Sequence, residues 1–103
     1  MRFLLKVNIS VAEGNAAAKA GKLSFTIQSI LEDLKPEAVY FAYNDGQRTA
    51  YIFLDMQEAS QIPGIAEPWF LAFDAHVEIH PVMVPDDLAK AGPAIEEAVK
   101  KYK

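Results

Sequence analysis

The chain has 103 residues, 51% hydrophobic and 23% charged, the composition of an ordinary globular domain with one core. A formal charge of −4, with ten basic residues scattered along the sequence, argues against nucleic acid or an anionic membrane as the main partner, because neutralising phosphates takes clustered Lys and Arg. With no cysteine, the chain can form no disulfide, thiolate nucleophile or Cys-ligated metal site.

Residues 2–11 alternate, with Phe3, Leu5, Val7 and Ile9 on one face and Leu4, Lys6, Asn8 and Ser10 on the other, as in a strand buried on one side. The period then changes. Leu23, Ile27, Ile30, Leu31 and Leu34 recur at helical spacing behind an alanine-rich run, which predicts a helix over 12–34, bent at Gly21 and restarted by Ser24 as a cap. Lys35-Pro36 ends it, since the residue before proline is pushed out of the α region.

Residues 37–43 and 47–54 read as strands, joined by Asn44-Asp45-Gly46, the strongest short hairpin signal in the chain. Asp55 is a candidate cap for a second helical region over 57–73. Pro63-Gly64 and Pro68 predict that this region splits into two short pieces. Residues 75–84 alternate again as a fourth strand. Pro85-Asp86-Asp87 opens a C-terminal helix, which Gly92-Pro93 interrupts and the stripe Ile95, Val99, Tyr102 continues. The terminal lysines Lys100, Lys101 and Lys103 read as a solvated helix end.

The order β, α, β-hairpin, α, β defines an α+β fold: one ferredoxin-like βαββαβ domain over 1–103 with a C-terminal helical tail. Right-handed crossovers place both helices on one face of an antiparallel sheet, leaving the other face covered by nothing except, at most, the tail. Lys6 and Asn8 interrupt the apolar run at the N-terminus, and no apolar stretch approaches the ~20 residues of a membrane span. A cytoplasmic location is expected, with no membrane partner.

The uncovered face carries Leu4, Lys6 and Asn8 from the first strand and His76, Glu78 and His80 from the fourth. Tyr51, Phe53 and one of Tyr40 or Tyr43 join them. Such a mixed face is too apolar for water and suits burial against a second copy, with a cavity between the two sheets.

This order and face resemble the dimeric α+β barrel superfamily. The stretches Arg2-Phe3-Leu4-Leu5-Lys6-Val7, Leu34-Lys35-Pro36-Glu37-Ala38, Gln61-Ile62-Pro63, Ala66-Glu67-Pro68 and His80-Pro81-Val82-Met83 resemble, over nearly the whole chain, a small bacterial family of about this length. Some of its members carry the label "panthothenate synthetase". The superfamily resemblance implies isomerases, cofactor-free monooxygenases, haem proteins or ligand sensors, and fold analogy does not choose among them. The label itself finds no support in the residues. A pantothenate-forming ligase binds ATP, and the Gly14 to Gly21 spacing lacks the Lys-Ser/Thr ending of a phosphate loop.

His76-Val77-Glu78-Ile79-His80 is the best chemical candidate, because on a strand its three polar side chains point one way, about 6.6–7 Å apart in successive pairs. All three in line span ~13 Å, too far for one ion, so a metal would need another ligand and none is expected. These residues either serve as acid–base or ligand-contacting groups, or form a wet polar seam with Glu78 paired to Lys6. Lys6 and Asn8 are further candidate contacts, and Tyr40, Tyr51 and Trp69 candidate walls. Arg48, straight after the hairpin, reads as solvated. Two functions remain open. One is a small-molecule protein or cofactor-free enzyme performing proton transfer or oxidation; the other is a non-catalytic sensing or self-association module.

Overall fold

The computed structural model describes residues 1–103. Strand β1 (Arg2–Ile9) buries Leu5, Val7 and Ile9, the alternate residues its pattern predicts. It stops earlier than expected because Ser10 opens helix α1 (Val11–Lys19): the Ser10 Oγ accepts the Glu13 amide at 3.2 Å.

The single bent helix expected over 12–34 is two helices. Gly21 takes a φ of +70°, and the amides of Gly21 and Lys22 return to the carbonyls of Ala18 and Ala17 at 3.0 and 2.9 Å. This left-handed turn satisfies the orphan carbonyls and closes α1. Helix α2 (Leu23–Leu34) then starts from Lys22 with no side-chain cap, so Ser24 lies in its first turn and does not restart it. It ends at Lys35, whose φ of 50° is left-handed, before Pro36.

Strands β2 (Ala38–Asn44) and β3 (Gln47–Asp55) are joined by Asp45 and Gly46 at φ 55° and 71°, the two positive values of a type I′ turn. Asp55 is not a helix cap. Its carboxylate accepts the Met1 ammonium at 2.9 Å and the Gln57 amide at 2.6 Å. After a short 3-10 turn (Ala59–Gln61), helix α3 (Ile62–Phe73) runs unbroken through Pro68, against the expected split. An interior proline costs about 3 kcal/mol, and burying one large apolar side chain returns about 1.5–3 kcal/mol. Helix α3 buries Ile65, Ala66, Trp69 and Phe73, which outweighs the proline.

Strand β4 (His76–Pro81) is shorter than the expected 75–84 and ends at a proline that has no amide for the ladder. The sheet order is β2-β3-β1-β4, every pair antiparallel, with β1 in the centre. With the helices packed on one face, this is the ferredoxin-like α+β arrangement. The core lies between that face and helices α2 and α3, built from Leu5, Val7, Ile52, Leu54, Trp69 and Phe73. No helix is long and apolar enough to cross a membrane.

The tail does not return to the sheet. Helices α4 (Pro85–Lys90) and α5 (Gly92–Tyr102) make their main contacts with each other. They form an arm that stretches the molecule to 58 × 28 × 20 Å with a radius of gyration of 17.3 Å. A compact chain of this length has a radius near 13 Å. Ile95, Val99 and Tyr102 on α5 are at least half exposed.

Candidate functional site on the open sheet face

Register decides which side chains share the open face. Leu5 and Val7 point to the helices, so Leu4, Lys6 and Asn8 point away, and their partners on β4 are His80, Glu78 and His76. On the other side, Leu4, Lys6 and Asn8 face Phe53, Tyr51 and Thr49, and Tyr51 in turn faces Tyr40 on β2. The pairing thus answers what the alternation left open: Tyr40 belongs to the open face, while Tyr43 pairs with Arg48 on the helix side. Tyr40 and Phe53 meet edge to face, centroids 6.4 Å apart.

Glu78 is the centre of the polar row. Its carboxylate lies 3.1 Å from His80 Nε2 and 3.4 Å from His76 Nε2. Lys6 stands directly opposite on β1, and its charge acts on Glu78 at longer range. The hydrogen bond from His80, then the positive charge of Lys6 and of the histidines, lowers the Glu78 pKa below its ordinary value. An ionised Glu78 accepts only, so His80 donates from Nε2, leaving the Nδ1 lone pair of the neutral ring free to accept a proton. All three side chains are more than a third exposed.

Asn8 has a different status. It is buried, and its Nδ2 donates to Thr49 Oγ1 at 2.9 Å. One N–H of this amide is therefore tied to the fold.

Trp69 lies on the opposite side of the sheet from the other candidates. It is fully buried under α3 and stacks on Phe73 at 6.3 Å, so it cannot share a wall with Tyr40 and Tyr51. It lines a separate cavity of about 300 Å³ beside Ile9, Ile27, Phe41 and Arg48. Its Nε1–H has no hydrogen-bond partner. This cavity therefore lies on the helix side, and the polar row lies on the open face of the sheet.

Arg48 is not the solvated side chain that its place beside the hairpin predicts. It reaches back to α1, where Nη2 donates to Asn15 Oδ1 at 3.1 Å, and it lies against Gly14. A Cβ on Gly14 would stand 2.5 Å from Arg48 Nη1. Glycine in a helix interior costs roughly 1 kcal/mol relative to alanine. Gly14, inside an alanine-rich helix, was thus the available sign of a close approach.

No family model matches the sequence, and no curated protein does. Among solved structures, the chain is similar to the de novo designed protein Ferredog-Diesel, at 8% identity and a TM-score of 0.46 over 79% of this chain and 85% of that one.

Proposed function

We propose that the protein acts as a self-associated dimer that binds a small organic molecule between two apposed sheet faces, with His76, Glu78 and His80 as its polar groups. The observation that carries this reading is the makeup of the open face. Leu4, Tyr40, Tyr51 and Phe53 surround a charge-balanced row of Lys6, His76, Glu78 and His80, and no element of the chain packs over them. A second copy, related by a two-fold axis, covers such a face with itself. This is also the geometry that the resemblance to dimeric α+β barrels implies.

Surface area supports it. A compact monomer of 11.4 kDa exposes about 5,800 Å², whereas this chain exposes 7127 Å². The surplus, roughly 1,300 Å² per protomer, exceeds the ~800 Å² that each partner buries in an interface of standard size. Much of it lies on the arm, whose apolar stripe is too short to be a stable helix alone in water. The stripe is satisfied when it packs on the partner.

Inside such a dimer, Glu78 orients the imidazoles and their free nitrogens transfer protons, which fits an isomerase-like reaction, or a cofactor-free oxidation in which dioxygen is the co-substrate and electron acceptor. Native mass spectrometry of freshly purified protein tests the reading. A dimer with extra mass that is released on denaturation is the expected result, and His76→Gln or His80→Gln should lose that mass. A clean dimer indifferent to both substitutions leaves a self-association module, and a monomer at micromolar concentration overturns the pairing.

A further inference from the structure

The helix-side cavity joins two features that no element of the fold requires together. First, its wall is largely apolar: Ile9, Ile27, Phe41 and Trp69 line an open space of about 300 Å³, at the lower end of the range of small-ligand pockets. Second, a fixed cation stands on its rim. Arg48 is only partly exposed, Gly14 lets its guanidinium lie against α1, and Asn15 holds one of its N–H groups. No carboxylate lies within ion-pairing distance of it, although the chain carries 14 acidic residues.

Each feature alone has a bland explanation, but together they describe a receptor. A guanidinium uses five N–H donors in a planar fork, and Arg48 spends one on Asn15. The remaining donors match a carboxylate in two-point geometry, and the low-dielectric wall beside them strengthens that bond.

We propose that this pocket binds a small monocarboxylate with an apolar body. Arg48 takes the carboxylate, and the ring or branched chain lies against Ile27 and Phe41. The site belongs to one protomer and to the helix side, so it stands or falls apart from the pairing of sheet faces.

Trp69 is the single tryptophan, so its indole N–H gives one resonance, and its fluorescence one signal, both from a residue beside the proposed site. The test is titration of the full chain with sodium benzoate, and with benzamide as the neutral isostere. Benzoate is expected to shift the indole resonance saturably in the millimolar range or tighter, and benzamide to bind about tenfold or more weakly. Arg48→Gln should reduce benzoate affinity by a similar factor while leaving the circular dichroism unchanged. Should Arg48→Gln fail to fold, Gly14→Ala retains the charge but displaces the guanidinium, and a severalfold loss is expected there. Equal affinity for benzamide, an indole resonance unmoved by benzoate, or a folded Arg48→Gln or Gly14→Ala variant with unchanged affinity overturns the proposal.

Discussion

Asn8 and Thr49 face one another across the β1–β3 ladder on the open side of the sheet, yet only 9% and 3% of their surfaces meet water. The Asn8 amide donates to the Thr49 hydroxyl at 2.9 Å, which donates in turn to the Gln47 carbonyl at 3.0 Å. This relay ties the central strand to the start of β3, next to the hairpin turn. Removing one member strands a buried polar group, which costs about 1–3 kcal/mol. Asn8→Ala should therefore lower stability by that amount in urea unfolding. The Asn8→Ala/Thr49→Val double variant should lose less than the two single losses together, a coupling of about 1 kcal/mol.

The Glu78 row carries a pH dependence whose sign follows from its lowered pKa. A carboxylate with a depressed folded-state pKa stabilises the fold above its ordinary value of 4.5, and that contribution disappears as pH falls through the lowered value. Glu78→Gln removes the contribution at every pH. The gap between wild-type and variant urea midpoints should thus be widest near neutrality and close in the acid range below 4.5. Asp55, also depressed by its bond to the terminal ammonium, contributes equally to both proteins and cancels in the comparison. A gap that stays constant down to pH 3 rules out the assigned role.

The arm makes a prediction about assembly. Val99 lies mid-stripe on α5 and is about half exposed in the single chain. If the partner covers it, Val99→Asp buries a charge and should drive the dimer toward monomer by light scattering. The far-UV circular dichroism of the sheet domain should persist. In a monomeric protein the same substitution is an exposed change and should alter neither mass nor stability by more than about 0.5 kcal/mol.

Trp69 anchors the core as well as the cavity. Trp69→Ala should cost about 3–5 kcal/mol, a large share of the stability of a domain this size, and Trp69→Phe should cost distinctly less. Thermal unfolding of both variants measures the difference. A small loss for Trp69→Ala would mean that α3 repacks onto β1 without it.

The strands were legible because period-two alternation on β1 and β4 and the Asp45-Gly46 turn each has a single reading. The helices were less so. The Gly21 break depends on a left-handed backbone that a bend also satisfies, and the continuity of α3 through Pro68 depends on burial of Trp69, a tertiary fact. The open-face row was legible for the same reason as its strands. The division between Trp69 and the tyrosines was not, because sequence places an aromatic on a helix without saying which side of the sheet that helix covers. Arg48 was hidden for the opposite reason: its chain neighbours Gln47 and Thr49 are polar, and the sign of its packing lies at Gly14, 34 positions earlier in the chain.

The central position of β1 sets a schedule for synthesis. Asn8 is paired with His76, so 68 positions of chain must follow before the second edge of β1 can close. At roughly 5–20 residues per second, the ribosome takes about 3–14 s over that interval. For those seconds Phe3, Leu5, Val7 and Ile9 form an exposed apolar strand with at most one neighbour, the kind of segment that chaperones hold. The nascent chain is therefore most vulnerable to wrong partners at the strand that ends up best protected.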